Sequence, residues 1–300
     1  MPSSSPARLN GQTLLLLLTP PLLWAGNFIA GRAISQDIPP VTLALLRWLI
    51  ALACLLPFAW QPLRKDMAHY WPQRWRILGT ALTGVAAFNL LVYWGLHSTS
   101  ATNGIILNSF IPFLVALFGF VIYRQRLHLW QLLGLLISLS GVLIVVAHGS
   151  LHRLTALAFA PGDIIIFLAM ICWALYTLWL REIPATIDRK GLMLIQVVLA
   201  LLMLTPLCFW EQQTLQASFT EPRMVWALLY IGIFPSVIAF LAYSQAVVRV
   251  GSVRASLFIH TMPIFGSLLS SLLLNEAFHL YQLIGMLTIF AGIGFAQRHG

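Results

Sequence analysis

His-Leu-Trp-Gln-Leu-Leu-Gly-Leu-Leu, residues 128–136, returns as His-Leu-Tyr-Gln-Leu-Ile-Gly-Met-Leu at 279–287, an offset of 151 positions in a chain of 300 residues. The same offset pairs Trp75 with Trp226, Pro112 with Pro263, Gly134 with Gly285 and Gly141 with Gly292. Nearer the N-terminus the offset is 149, pairing Trp24 with Trp173, Arg32 with Arg181 and Pro57 with Pro206. A connecting loop that differs by two residues accounts for the change. The chain reads as a duplication, with a first repeat at 1–150 and a second at 151–300.

What is duplicated is apolar. Hydrophobic residues make up 60% of the chain and charged residues 8%, too little charge to cover a water-soluble domain. Apolar runs fall at about 13–31, 41–60, 75–96, 102–123, 128–147, 163–181, 191–210, 225–247, 253–274 and 279–297, each near the roughly 20 residues a bilayer crossing needs. Helices are the expected form, because a backbone in lipid must satisfy its own N–H and C=O groups. The expected fold is an all-α integral membrane protein of ten transmembrane helices in two five-helix repeats. Five is odd, so the second repeat should be inverted relative to the first.

Charge orients the chain. With the N-terminus in the cytoplasm, thirteen Lys or Arg residues fall on the inner side and three, Arg32, Arg153 and Arg223, on the outer side. The positive-inside rule then places both termini in the cytoplasm. One corner of the repeat agrees: Tyr-Arg-Gln-Arg at 123–126 corresponds to Leu-Asn-Glu-Ala at 274–277, basic only where it would face inward. Arg47 lies about two turns inside the second span and is expected to snorkel or to bind helix-end carbonyls.

Several functions are excluded by the same reading. The net charge of +9 reflects dispersed loop residues, without the basic, aromatic-interleaved patch a nucleic-acid partner would require. The lysines, Lys65 and Lys190, lie outside any GxxxxGK[ST] loop, so neither a built-in ATP engine nor an ATPase subunit is indicated. HExxH and GxSxG are missing, and every acidic residue falls at a span end or in a loop, so no catalytic residue is expected. Cys54, Cys172 and Cys208 lie within spans without a CxxC. They predict no disulfide and no metal site, and no cofactor is expected. Although the first span resembles a signal peptide, its repeat partner is internal, so it reads as a helix.

The remaining class is transport, and the repeat indicates where. Inverted repeats are suited to alternating access around a site near the midplane. Trp24, Asn27 and Phe28 share one face of the first helix, and Trp173 and Tyr176 hold the equivalent positions of Trp24 and Asn27 on the sixth. They are expected on opposite walls of one cavity. Asn89, Tyr93 and Trp94 on the third helix, Asn108 on the fourth, Tyr243 on the eighth and His260 on the ninth complete the candidate set, since polar groups in a membrane interior face a bundle core or a wet cavity. Any proton coupling would fall first to His260 and second to His97.

Leu-Leu-Trp-Ala-Gly-Asn-Phe-Ile-Ala at 22–30, Ala-Leu-Leu-Arg-Trp at 44–48, the Pro112 and Pro263 helices and the stretch 276–292 resemble the EamA-type drug/metabolite transporter superfamily. The resemblance covers nearly the whole chain. It implies a ten-helix exporter of the inner membrane with a cavity lined by both repeats. The aromatic-rich interior is most similar to aromatic amino acid exporters of the YddG type. Gln125 departs from the pattern, which keeps its Glu here only at Glu276. Without a carboxylate in the interior, permanent cations are disfavoured; aromatic rings with amides and hydroxyls suit neutral, partly apolar molecules such as zwitterionic amino acids. The expectation is a multi-pass secondary transporter, a monomer in lipid, that exports amino acids. Export of other metabolites or drugs is the alternative, and an intramembrane enzyme acting on lipid a distant second.

Overall fold

The computed structural model describes residues 10–34, 37–99, 101–125, 128–150, 152, 160–211, 221–274 and 279–297. Helices dominate. In chain order they are α1 (Gly11–Ile34), α2 (Pro40–Lys65), α3 (Met67–Leu96), α4 (Asn103–Tyr123), α5 (Leu129–Val146), α6 (Pro161–Glu182), α7 (Arg189–Glu211) and α8 (Pro222–Val250). Then come α9, made of Ser252–Leu257, a 3-10 turn Phe258–Thr261 and Met262–Leu274, and α10 (Leu280–Gln297). Among the described residues, eight helices are long and apolar enough to cross a membrane, and Leu280–Ala296 is a shorter apolar one. Large apolar side chains such as Leu15, Phe58, Phe120 and Leu202 are exposed along them, as a lipid-facing surface requires. Trp60, Trp71, Trp75, Trp210 and Trp226 are exposed near helix ends, where an aromatic belt would sit.

The third span begins earlier than the apolar run suggests. Helix continues from Met67 through a 3-10 turn at Trp71–Gln73 into the predicted 75–96 segment, because Tyr70 buries itself against the start of α7 and extends the packed surface.

Contacts between the halves are reciprocal. Gly134 and Gly141 of α5 meet Gly292 and Gly285 of α10: an added Cβ would lie 2.5 Å from Gly292 O at Gly134, 2.8 Å from Gly285 O at Gly141, 2.9 Å from Gly141 O at Gly285 and 2.6 Å from Gly134 O at Gly292. The two helices therefore run antiparallel with backbones in contact, which only small residues permit. α2 and α7 also run antiparallel. The Glu211 carboxylate at the end of α7 accepts from Val41 N (3.0 Å) and Thr42 N (2.7 Å) at the start of α2, and the Asp66 carboxylate after α2 accepts from Asp188 N (2.7 Å) before α7. Each helix thus supplies an acidic group to the exposed N–H groups of the other. α1 packs on α8, with Tyr230 Oη donating to Leu23 O at 3.0 Å, while α6 packs on α3, where Gly84 leaves room for Tyr176. First helix meets third helix across the halves, in both directions.

The irregularities are duplicated as well. α3 carries a π-helical stretch at Ala81–Ala87 and α8 one at Phe234–Ile238, equivalent positions under the 151 offset. α4 breaks at Ser109 and Phe110, just before Pro112, and α9 breaks at Phe258–Thr261, just before Pro263. Such interruptions free backbone groups in mid-helix and are tolerated where protein or a cavity covers them.

Candidate functional site

Eight of the ten residues singled out in the sequence lie in the middle of the bundle, six of them in two clusters and Asn89 and Asn108 along the cavity beside them. The first is aromatic. Trp24 and Trp173 meet edge to face with ring centroids 4.9 Å apart and planes at 85°. Tyr243 lies 5.4 Å from Trp24 and 5.3 Å from Trp173, and Tyr176 5.0 Å from Trp173. Phe88, which the sequence reading had not placed in the site, and Phe240 of α8 lie 4.5 and 5.3 Å from Trp173. The π-helical stretch of α8 contributes directly, because Trp24 Nε1 donates to Pro235 O at 3.1 Å. The Trp173 indole N–H, 1% exposed, makes no aligned hydrogen bond.

Opposite walls were expected for Trp24 and Trp173; the rings instead touch. The space beside them is a cavity of about 10 Å³ lined by Trp24, Asn27, Phe28, Arg47, Phe88, Asn89, Val92, Asn108, Ile111, Trp173, Ile259 and Met262. That volume holds about one water, so a larger ligand requires the lining to open.

The second cluster is polar and centres on Arg47. Far from snorkelling, it is 1% exposed. Its Nε donates to Ser236 Oγ at 2.6 Å, and its Nη1 donates to Tyr93 Oη at 2.8 Å and, at 3.4 Å, to Asn27 Oδ1. Tyr93 Oη donates in turn to Asn27 Oδ1 at 3.2 Å. The guanidinium carbon stands 5.0 Å from the centre of the Trp48 ring, within cation–π range. Neighbouring helices intercept the side chain before it could reach a membrane surface. Arg47, which the sequence reading left outside the candidate set, sits at the centre of this cluster. A lone arginine inside an apolar span is the signal that marks it, since such a group is costly in lipid and needs a built environment.

Asn89 and Asn108 line the same cavity. Asn89 Nδ2 donates to Gly84 O (3.2 Å) and Val85 O (3.0 Å), carbonyls freed by the π-helical stretch. Carbonyls only accept, so the amide nitrogen must point there and Oδ1 is the atom left for the cavity. Asn108 Nδ2 contacts Met262 Sδ at 3.0 Å, again leaving Oδ1.

Two residues lie elsewhere. Trp94 is 54% exposed, because one step along a helix from buried Tyr93 turns the side chain by about 100°. His260 is buried between the halves, with Nδ1 2.7 Å from Ser138 Oγ and Nε2 2.9 Å from Ser109 O, and lies outside the cavity lining. Gln125 stands at the end of α4, where its N–H donates to Gly119 O at 3.1 Å; its partner Glu276 lies outside the described residues. Among the described residues no group of three or more His, Cys, Asp or Glu could hold a metal ion.

A polytopic helical bundle with a ring-and-amide cavity between two similar halves is the architecture of a membrane transporter. Comparison with known proteins agrees. The EamA-like transporter family model matches residues 12–147 and 160–297, one match in each half, and the chain belongs to that family. An uncharacterized transporter of Archaeoglobus fulgidus is 28% identical over 286 residues, covering 95% of this chain and 97% of the relative. The uncharacterized transporter YyaM of Bacillus subtilis is 27% identical over 77% of this chain and 73% of its own length. A solved structure titled "Crystal structure of protein" superposes with a TM-score of 0.74 at 20% identity, covering 96% of this chain and 97% of that one, a likeness of fold.

Proposed function

We propose that this multi-pass membrane protein is an inner-membrane secondary transporter that exports amino acids, aromatic and other neutral ones, by alternating access between two inverted five-helix repeats. The observation that carries the reading is the contact of Trp24 with Trp173, equivalent residues of the two repeats that close on one another beside a cavity lined by Asn27, Asn89 and Asn108. Parting the repeats would separate these rings and open room for a side chain between them. Aromatic faces then hold an apolar group, and amides hold a polar end.

The antiparallel α5–α10 and α2–α7 contacts support the inverted arrangement, since a twofold in the membrane plane pairs equivalent helices head to tail. Counting α9 and α10 as spans gives ten crossings and both termini in the cytoplasm, in keeping with the distribution of Lys and Arg. The site comprises Trp24, Asn27, Asn89, Asn108 and Trp173, with Tyr93, Tyr176 and Tyr243 packed behind them. Transport is facilitated or at most weakly proton-coupled, because no carboxylate among the described residues lines the cavity.

The test is purified protein in liposomes offered a panel of labelled amino acids, nucleosides and organic cations, with and without a pH gradient. Saturable flux of phenylalanine is expected. Flux of nucleosides or cations without amino acids would replace the substrate assignment.

A further inference from the structure

The two walls of the cavity differ in chemistry. Under the repeat offsets, Asn89 corresponds to Phe240, Asn108 to Ile259 and Arg47 to Gln196. The first repeat supplies two amides and a cation where the second supplies a ring, an aliphatic group and a neutral amide. A site built by duplication has acquired one charged pole.

That pole exceeds what packing needs. Gln196 on α7 ties its helix to α3 by donating from Nε2 to Thr80 Oγ1 at 2.7 Å, as Arg47 on α2 ties its helix to α8 through Ser236. A neutral side chain therefore suffices for the tie. Burying a guanidinium is costly unless a counter-charge or ligand meets it. The ion pairs among the described residues are Arg76 with Glu182 and Arg223 with Asp37; the three hydrogen-bond partners of Arg47 are neutral. Its Nη2 has no acceptor among the described residues, and the side chain lines the cavity.

We infer that Arg47 is the anchor for a substrate carboxylate, so that the site selects molecules carrying an anionic group beside an apolar one. The inference rests on the transport reading above and narrows it. A guanidinium presents parallel N–H donors matched to a carboxylate. Asn89 Oδ1 and Asn108 Oδ1 offer acceptors for an ammonium group on the same molecule. Trp24 and Trp173 then take the side chain.

Competition against labelled phenylalanine in wild-type proteoliposomes tests this without altering the protein. 3-Phenylpropionate keeps the carboxylate and loses the ammonium; phenylalaninamide and phenethylamine lose the carboxylate. Loss of a charge-assisted interaction should weaken the last two competitors about tenfold to a hundredfold, with 3-phenylpropionate remaining the better inhibitor. Arg47→Gln, which installs the side chain the second repeat already uses, should lower phenylalanine affinity by a similar factor and abolish the preference for phenylalanine over its amide. Should that variant fail to fold, the analogue series on wild type decides alone. Phenylalaninamide competing as well as phenylalanine, or a folded Arg47→Gln that keeps the preference, overturns the anchor and leaves transport standing. Absence of phenylalanine flux in wild type overturns the amino acid reading itself, and the anchor with it.

Discussion

Replacing Gly134 by alanine adds one methyl group at a tight seam between the halves. The new Cβ would stand 2.5 Å from Gly292 O and 2.6 Å from Ala296 N, against the roughly 3.5–4.0 Å at which carbon contacts are comfortable. The shortfall is about 1 Å. Both obstructing atoms are backbone, so no rotamer change relieves it and α5 must move off α10. Overpacking of this kind costs about 1–3 kcal/mol, or roughly 2–12 °C in Tm at about 2–4 °C per kcal/mol. Gly294, on the same α10, has nothing within 4 Å of its Cβ position, and Gly294→Ala should stay within about 0.5 kcal/mol of wild type. Thermal unfolding of both purified variants in one detergent, followed by loss of the monodisperse size-exclusion peak, gives the comparison. If Gly134→Ala melts with wild type and Gly294→Ala, the close α5–α10 packing described above is wrong.

Topology is checked with a cysteine-free background carrying a thiol at Ser218, a residue outside the described segments. It should react with an impermeant reagent on intact inner membranes, and reaction only after the membrane is opened would reverse the orientation. Glu211→Ala removes the acceptor for Val41 N and Thr42 N; a loss of about 0.5–2 kcal/mol is expected, and an unchanged Tm would refute the capping role. His260→Ala breaks the link to Ser138 and Ser109 O and should cost about 1–3 kcal/mol while leaving the pH dependence of flux unaltered. Loss of proton-driven accumulation in a folded His260→Ala protein would instead make His260 the proton carrier.

Much of this geometry was legible in the sequence because it is written twice. The offsets of 151 and 149 locate the glycines of the α5–α10 seam and pair Trp24 with Trp173 from the sequence alone. What escaped were features set by neighbours rather than by spacing. Arg47 could snorkel on an isolated helix; Ser236, Tyr93 and Asn27, drawn from three other helices, are what hold it inside. Trp94 follows Tyr93 directly, and adjacency in sequence placed it in the site that helical rotation turns it away from. Interruptions in α4 and α9 fall several residues ahead of the prolines, and the π-helical stretches carry no local signature beyond Gly84 and Pro235. Phe88 reads as an ordinary core residue until its ring is seen to meet Trp173.

In the proposed cycle the Trp24–Trp173 contact is where substrate passes between the repeats. Its most direct test is the flux of labelled phenylalanine and threonine into liposomes holding equal amounts of folded wild type, Trp24→Ala and Trp173→Ala. Each ring is worth roughly 0.5–1.5 kcal/mol to an aromatic substrate beyond area burial, so phenylalanine affinity should fall about three- to tenfold in either variant and threonine less. Phenylalanine transport unchanged in both variants would contradict the account.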